Sequence, residues 1–269
     1  MDKKSNVIQF KNENFYFLYL EKESEKGITN RTWHMHSFYE IMFFIDSESE
    51  YAVENNRYVT KRGDVLLIKP GSHHFERRVI KKESMFYCLG FSLNAVKSKE
   101  LARRIFDKSE HIQLGEGHPI EKLLSAAKDI IKNAPAASEL LLKSIAESVI
   151  IALDGPDINE KRNSEKMNDN IEKILDFINL NLLNINSIDD IASAVFFSNS
   201  YIRGTFKREM GIGVMQYIRN KKILLAHARI ADGERPTKVF AECGFANYPS
   251  FYRAYVSYFG HSPRPIKKT

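Results

Sequence analysis

Three histidines and one glutamate in the N-terminal half have the types and spacing of a polar binding site. His34 and His36 precede Glu40, so this stretch reads His-x-His-x-x-x-Glu, and a second stretch, Pro-Gly-Ser-His-His, ends at His74. On a strand, the alternation of side chains would place His34 and His36 on the same face. Imidazole nitrogens and a carboxylate that converge there could hold Zn, Fe, Mn or Ni.

The two stretches resemble the two motifs of the cupin barrel, in which the first supplies two histidines and a glutamate and the second supplies one more histidine. Sensory barrels that resemble cupins also keep some of these residues without needing a metal. We therefore favour a site with no metal and no other cofactor, in which the polar groups line or close a ligand pocket. The expected lining is His34, His36, Glu40 and His74, with Trp33, Phe38, Tyr39 and Phe43 as apolar wall.

Short apolar and aromatic runs predict the strands that must position these residues. Turn signals separate several runs: Glu-Asn-Asn at 54–56, Arg-Gly-Asp at 62–64 and Pro-Gly at 70–71. Many short strands with such turns are typical of a small antiparallel barrel or sandwich. The predicted strands lie at 15–20, 41–45, 51–53, 57–59, 65–68 and 85–91.

After the strands, the apolar spacing changes to that of helices. Pro119 suits the first turn of a helix whose apolar residues recur three and four apart over 120–131. A second helix, predicted over 136–153, is apolar on two faces and therefore needs two partners. The barrel is one partner. The other is either the same helix of a second subunit, with Ile145 and Val149 at the contact, or the interior of the same domain.

The C-terminal part contains two patterns of a short helix, a tight turn and a longer helix. In the first, at 188–209, apolar residues three and four apart predict the short helix, Ser198 can cap the longer one, and Gly211 ends it. In a helix-turn-helix, the outer face of the second helix enters the major groove of DNA. The residues predicted on that face are Ser200, Arg203, Gly204 and Lys207.

The second pattern, at 237–259, repeats this organisation. Asn247 is the expected cap of its longer helix, and Phe251 and Tyr255 are inner positions of that helix. Pro249 is tolerated in the first turn, because that turn has no internal partner for the missing amide hydrogen. The predicted outer face carries Pro249, Ser250, Tyr252 and Arg253.

Further residues of these helices fall at fixed spacing. They are Ile191-Ala192, Ser198, Tyr201-Ile202, Phe206-Lys207, Gly211, Tyr217-Ile218, Ile223, Ala226, Gly244-Phe245, Phe251, Arg253, Gly260 and Ser262-Pro263. This joint spacing resembles the AraC/XylS family of bacterial transcription regulators. The resemblance implies that two reading helices, joined rigidly by a helix at 213–231, enter successive major grooves. An ordinary helical bundle would explain the apolar stripes but not the joint spacing.

Three departures from the family pattern limit which properties of the family can be expected of this chain. Gly204 stands where the family has an arginine, so the nearest base is Arg203. The glycine weakens its helix by up to about 1 kcal/mol against alanine. Phe240 stands where a small residue is usual, and Val256-Ser257 where lysines are usual. The sequence preference of a relative is therefore not transferred to this chain.

Positive charge is concentrated in the C-terminal part. Residues 198–269 hold thirteen Lys and Arg against four Asp and Glu, in a chain whose net charge is +6, so the remainder is slightly negative. This asymmetry favours contact with the phosphates of double-stranded DNA. The side chains expected at phosphates are Lys207, Arg208, Lys221, Lys222, Lys238, Lys267 and Lys268.

The whole-chain composition is that of a folded protein of 269 residues, 43% hydrophobic and 28% charged. No apolar run is long enough for a membrane span or a secretion signal, so we expect a cytoplasmic protein. Cys88 and Cys243 lack metal-ligand spacing and are expected to be buried. We predict an α+β chain of two domains: a cupin-like β-barrel with flanking helices at 1–155, a linker at 156–168, and an all-α DNA-binding domain at 169–269.

These features together predict a sequence-specific transcription regulator and not an enzyme. The expected partners are double-stranded DNA, a small-molecule effector bound by the barrel, a second copy of the chain and RNA polymerase, with no membrane contact. Two alternatives remain. One is a metal-dependent cupin enzyme that uses the His-x-His-x-x-x-Glu stretch, and the other is a DNA-binding regulator whose barrel has no small-molecule ligand.

Overall fold

The chain divides into two structural units in the computed structural model. The first comprises Met1–Arg31 and Phe38–Glu165, and the second comprises Thr32–Ser37 and Lys166–Thr269. The structure describes residues 5–23, 27–28, 34–81, 83–114, 117–155, 158–160, 165–166 and 168–264. Across these ranges, no helix combines the length and the apolar character that a membrane span requires.

Antiparallel strands form the framework of the first unit. They are β1 (Ser5–Lys11), β2 (Phe15–Glu23), β3 (Gly27–Ile28), β4 (Tyr39–Asp46), β5 (Ser49–Val53), β6 (Asn56–Thr60), β7 (Asp64–Ile68), β8 (His74–Val79), β9 (Glu83–Phe91), β10 (His111–Leu114), β11 (Ile158–Glu160) and β12 (Glu165–Lys166). A seven-stranded sheet has the order β1-β2-β9-β4-β7-β10-β11, and a five-stranded sheet has the order β12-β6-β5-β8-β3. Each of the six predicted strands is present, as β2, β4, β5, β6, β7 and β9.

Side-chain alternation gives the larger sheet two buried faces. On one face, residues such as Phe17 and Ile41 share a core with helical residues. On the other face, Phe44 and Phe86 share a core with Tyr51 of the smaller sheet, and the ring centroids of Phe44 and Tyr51 are 5.1 Å apart. Fully burying one such side chain contributes roughly 1.5–3 kcal/mol. The apolar runs of the sequence therefore form a sheet that is covered on both sides.

Helices α1 (Lys99–Lys108), α2 (Pro119–Asn133) and α3 (Ser138–Ala152) contribute to the first of these cores. Helices α2 and α3 were predicted. Ile145 and Val149 of α3 are buried in the core of their own unit, at 7% and 0% exposure, so they are not available for a subunit contact. The exposed apolar residues of α3 are Leu140 and Ile151 instead, at 74% and 60%.

The segment predicted as a linker contains a short strand of the larger sheet. Ile158 of β11 pairs with Leu114 of β10, and Asn159 pairs with Gln113. Because β11 is an edge strand, it can be short and polar and still pair through its backbone. Composition alone did not distinguish such a strand from a linker, and the domain boundaries remain predictions.

Helices make up the second unit. They are α4 (Asp169–Asn181), α5 (Ile188–Val195), α6 (Asn199–Met210), α7 (Val214–Ala231), α8 (Pro236–Glu242) and α9 (Tyr248–Phe259). Ser198 and Asn247 cap α6 and α9 by accepting hydrogen bonds from backbone N–H groups of the first turn, at 3.2 and 2.9 Å. Gly211 and Gly260 end the same helices in the left-handed region, with φ of 69° and 75°. These are the start and stop signals that predicted both motifs.

Two hydrophobic cores lie along α7. In the first core, Phe206 of α6 packs against Tyr217 of α7, with ring centroids 5.2 Å apart. In the second core, Phe251 and Tyr255 of α9 pack with Ile223 of α7. One continuous helix therefore carries both helix-turn-helix motifs. Cys243 lies in the second core and Cys88 in the core between the sheets, and both are free and buried, as predicted.

Candidate nucleic-acid interface and ligand site

The outer face of α6 is open to solvent. Ile202 and Phe206 on its inner face are 0% exposed. The predicted outer residues Ser200, Arg203, Gly204 and Lys207 are all exposed. A Cβ built on Gly204 would meet no heavy atom within 4 Å, so packing does not require glycine at this position. The face can therefore hold a longer side chain than it has.

Helix α9 presents the corresponding face of the second motif. Pro249, Tyr252 and Arg253 are exposed there, and Ser250 is half-buried. Phe240 of α8, which departs from the family pattern, packs edge-on against Tyr248 with ring centroids 5.6 Å apart. The larger residue thus supports the first turn of α9.

An open cleft of about 790 Å³ lies between α7 and the outer face of α9. Ser250 and Arg253 line it from α9, and Gln216, Arg219 and Asn220 line it from α7. Sequence reasoning missed the α7 residues, because only the folded helix pair brings Arg219 near Arg253. Guanidinium groups bind phosphates and base-edge acceptors well, since their donors form a planar fork.

The side chains predicted at phosphates have different environments. Lys207 and Arg208 are exposed in the last turn of α6. Lys238 is exposed and lies 3.8 Å from carboxylate oxygens of Glu234 and Glu242. Lys221 donates to Asn179 at 3.1 Å, and its ammonium lies 5.1 Å from the ring centroid of Tyr217. Lys267 and Lys268 lie outside the described residues.

Lys222 is not a phosphate contact, and this prediction was wrong. The residue is 5% exposed, and its ammonium donates to backbone carbonyl oxygens inside the unit. Lys222 lies four residues from both Ile218 and Ala226, so helical spacing places it on the buried face of α7. Its positive charge led to the wrong prediction, because a lysine is seldom buried.

Glu40 and His74 form a buried polar pair within the first unit. They are 4% and 2% exposed, and Nε2 of His74 lies 3.2 Å from Oε2 of Glu40. Nδ1 of His74 lies 3.1 Å from the carbonyl oxygen of Ser72, so this nitrogen donates. Glu40 is on β4 and His74 begins β8, so strands of both sheets bring them together.

His34 and His36 do not share a β-strand, so the alternation that was expected to place them on one face does not apply to them. His34 forms an isolated bridge, His36 is outside any strand, and β4 begins only at Tyr39. Both histidines belong to the second unit, where their ring centroids are 6.1 Å apart. Met35 between them is buried in the first core of that unit, and the Tyr258 hydroxyl donates to its carbonyl oxygen at 2.9 Å. Trp33 lies outside the described residues.

The predicted apolar wall of the pocket is partly wrong. Tyr39 and Phe43 point away from Glu40, because side chains alternate along β4, and they pack in the core shared with the helices. Phe38 is buried at 9% exposure. Tyr16 of β2 was missed. Tyr16 and Glu40 pair with Gly90 from opposite sides of β9, so their side chains share one face of the sheet. Burial, with smaller effects of Cys88 and Glu40, raises the pKa of the Tyr16 phenol.

Comparisons with known proteins agree with this organisation. The AraC-like ligand binding domain matches residues 19–150, and the helix-turn-helix domain matches residues 191–269. The probable transcriptional regulator LumQ of Photobacterium leiognathi is 24% identical over 237 residues, which cover 87% of this chain and 91% of that protein. The multiple antibiotic resistance protein MarA of Escherichia coli is 27% identical over 110 residues, which cover 40% of this chain and 85% of that protein.

A solved structure of a probable AraC family transcriptional regulator from Rhodopseudomonas palustris CGA009 is 25% identical and covers 36% of this chain and 92% of that chain, with a TM-score of 0.33. The two family models match in the order of the two structural units, and together they account for most of the chain. The chain belongs to the AraC family and is a DNA-binding transcriptional regulator with an N-terminal ligand-binding domain.

Proposed function

We propose that both helix-turn-helix motifs bind one bipartite DNA site, with α6 and α9 in successive major grooves. The observation that carries this proposal is the exposure of Arg203 and Arg253 on helices whose opposite faces are fully buried. Because both helices pack on α7, one continuous helix links the two exposed faces. Base edges are read by the outer-face side chains and phosphates are held by Lys207, Arg208, Arg219 and Lys238.

Selection of bound duplexes from a random pool tests this proposal with the full chain. We expect two blocks of preferred bases whose centres are about 10 base pairs apart, the repeat of the major groove. Scrambling either block alone should weaken binding. A single preferred block, or a block whose scrambling changes nothing, would contradict the bipartite site.

For the N-terminal unit, we propose a small-molecule effector that binds beside Glu40 and His74. Burying a carboxylate and an imidazole in an aromatic core removes their hydrating water, which costs free energy. Buried polar groups of this kind are common at functional sites. The phenol of Tyr16 adds a third polar group to this region. The site holds no metal cofactor in this proposal.

Thermal melts with a panel of metabolites test the effector site, because a ligand that binds the folded state raises its melting temperature. A compound that stabilises the wild type should stabilise Glu40→Gln much less. If no compound acts, the regulator without a small-molecule ligand is the better description. Elemental analysis of untagged protein is the second arm, and about one equivalent of a transition metal would favour the metal-dependent alternative.

We also propose that the chain forms a homodimer through the outer face of α3. Leu140 and Ile151 are exposed and lie eleven positions apart, about three helical turns, so they share one face. Ser144 and Ser148 lie between them, and their hydroxyls donate to backbone carbonyls of the preceding turn. Small side chains whose polar groups are satisfied let a second helix approach closely.

Light scattering tests the dimer. Leu140→Glu combined with Ile151→Glu should give a folded monomer. Ile145→Glu is the matched control on the buried face of the same helix, and it should unfold the unit instead. A double variant that remains dimeric would contradict this interface.

The remaining parts of the proposal follow from the regulatory function. We propose that the chain acts in the cytoplasm, contacts RNA polymerase at its promoters and catalyses no reaction. Transcription in vitro with purified polymerase tests the contact. Turnover by a metal-loaded sample that lacks salt-sensitive DNA binding would replace the regulator with the cupin enzyme.

A further inference from the structure

Lys222 places a charged group inside the second unit. The residue is 5% exposed, and its Nζ donates to the carbonyl oxygens of Ile185 at 2.8 Å and of Gly244 at 3.0 Å. Burial lowers the pKa of this ammonium, and the charge of Asp190 acts in the opposite direction. A buried ammonium is retained only where acceptors replace its water, and here two backbone carbonyls do so.

The two carbonyl groups come from the approach to the first helix-turn-helix motif and from the turn of the second. Ile185 lies in the loop between α4 and α5, which leads into the first motif, and Gly244 lies in the turn between α8 and α9 of the second. One ammonium, at the centre of α7, therefore joins the turn of the second motif to the loop that leads into the first motif.

The absence of a side chain at Gly244 lets the turn of the second motif lie close to Leu183 and Lys222. The φ of Gly244 is +75°, and a Cβ added there would lie 2.3 Å from the carbonyl oxygen of Leu183 and 2.9 Å from Nζ of Lys222. The turn of the second motif thus lies against the loop of residues 183–185 with no space for a side chain between them. A methyl group at this position must push the turn of the second motif away from the loop that leads into the first.

Lys222 also lies where α7 passes from one core to the other. Tyr217 and Ile218 belong to the first core, and Ile223 and Ala226 belong to the second. Apolar contacts are not directional, so each core alone tolerates small rotations of its motif about α7. Charge-assisted hydrogen bonds have a preferred direction and resist such rotations.

We propose that Lys222, together with the close approach at Gly244, is a positioning residue that fixes the separation and angle of α6 and α9 and thereby selects the spacing of the two half-sites in DNA. This inference rests on the bipartite site proposed above. One extra base pair rotates the second half-site by about 35°, since the duplex repeats about every 10 base pairs. A rigid pair of motifs therefore accepts one spacing, and a loosened pair accepts several.

The test uses the full chain and the selected DNA site. Base pairs are inserted or removed between the two blocks, and duplexes with one block scrambled report binding to each half-site. The wild type should bind its preferred spacing about tenfold more tightly than a site changed by one base pair, a difference readily measured by titration. Lys222→Met should keep wild-type affinity for each half-site and lose most of that preference.

Two further lysine variants separate positioning from general stability. Lys222→Arg keeps donors and charge, so it should restore the spacing preference. Lys221→Met removes the adjacent lysine and should leave the preference unchanged. Gly244→Ala disturbs the same contact from the other side, and it should shift or broaden the preferred spacing. This last variant carries the test if Lys222→Met does not fold by circular dichroism.

The outcomes are distinct. A spacing preference that survives in Lys222→Met, or in Gly244→Ala where the first variant is unfolded, overturns the positioning role alone. Equal weakening on half-sites and on every spacing also overturns it, because that result shows only lost stability. A wild type that binds one half-site as tightly as the whole site overturns the bipartite proposal, and the positioning role falls with it.

Discussion

The two helix-turn-helix motifs share a fold but differ in the reading surface that each presents. Helix α9 keeps Arg253 at the family position and is supported by the Phe240 and Tyr248 rings. Helix α6 has Gly204 at the equivalent place, with Arg203 one residue earlier on a different part of the face. Similar backbone geometry therefore does not imply an equal contribution to specificity, and we expect the second motif to discriminate more strongly between DNA sequences.

The turns of the two motifs differ as well. In the first motif, α5 ends at Phe196, a non-glycine residue in the left-handed region with φ of 59°, and its side chain is 91% exposed. In the second motif, the corresponding left-handed residue after α8 is Gly244, with φ of 75°. Phenylalanine adopts this conformation at a higher free-energy cost than glycine. The second motif is thus the less strained of the two at its turn.

Low pH should reduce the folding stability of the second motif more than that of the first. His227 lies behind α9, with Nδ1 2.7 Å from the Tyr255 hydroxyl and its ring stacked on Phe259 at 4.2 Å. Burial, helped by the charge of His261, lowers its pKa from 6.5 to about 4. The unfolded chain therefore takes up this proton near pH 6.5 and the folded chain only near pH 4, so stability is complete above pH 6.5 and falls as the pH drops towards 4.

The shift corresponds to at most roughly 3 kcal/mol of unfolding free energy. Urea unfolding of the full chain at pH 7 and pH 4.5 measures it, with His227→Phe as the control that keeps the stacking and cannot take up the proton. The variant should lose less stability between the two pH values. Equal losses in both proteins would show that other groups dominate the acid response.

Arg253→Ala should reduce the affinity for the selected DNA site, relative to random duplex, more than Arg203→Ala does. A side chain that contacts bases contributes about 1 to 3 kcal/mol of discrimination, and we expect Arg253 at the upper end of that range. Affinities for the selected site and for random duplex give the difference. If either variant weakens both equally, that arginine contacts phosphates instead. A larger specific loss for Arg203 would reverse the comparison.

Gly204→Arg should give the first motif an additional contact with a DNA base. The outer face has space at this position, and arginine also favours the helix over glycine. We expect a gain of about 1 kcal/mol on a site reselected for the variant, the lower end of the range for a base contact. Selection should show a newly preferred base in the block read by α6. An unchanged preference would mean that this position does not face bases.

Gly204→Ala should stabilise the folded chain by up to about 1 kcal/mol, because alanine is the better helix former and meets no neighbour here. Gly211→Ala is the matched control within the same motif. Its φ of 69° strains a side chain, so this variant should be destabilised. Thermal melts compare the two. A loss of stability in Gly204→Ala would show that the glycine has a structural role in α6.

The helical unit was largely predictable because its signals are local. Ser198 and Asn247 as caps, and Gly211 and Gly260 as stops, are read from a few neighbouring residues, and they locate α6 and α9 almost to the residue. The hydrogen-bond acceptors that make the burial of Lys222 possible could not be read this way. They are two carbonyl groups that arrive from distant parts of the chain.

The sheet unit was predictable where strands are apolar and not elsewhere. Strand β8 reads His-Phe-Glu-Arg-Arg-Val, so four of its six residues are polar. Its buried Glu76 accepts hydrogen bonds from Ser49 at 2.9 Å and from Lys22 at 3.3 Å. A polar strand of this kind looks like a loop in the sequence. Within the sheet unit, the two predicted ligand-site residues Glu40 and His74 lie side by side, although 34 residues separate them in the sequence.

In the function proposed above, this chain reads a DNA sequence through two exposed helix faces, those of α6 and α9. Titration of the full-length protein with the selected duplex and with a scrambled duplex, across a range of salt concentrations, tests it most directly. The logarithm of the affinity for both duplexes should fall linearly with the logarithm of the salt concentration, and the selected duplex should bind more tightly throughout. A folded chain that binds neither duplex at low salt, or that binds both equally, would contradict it.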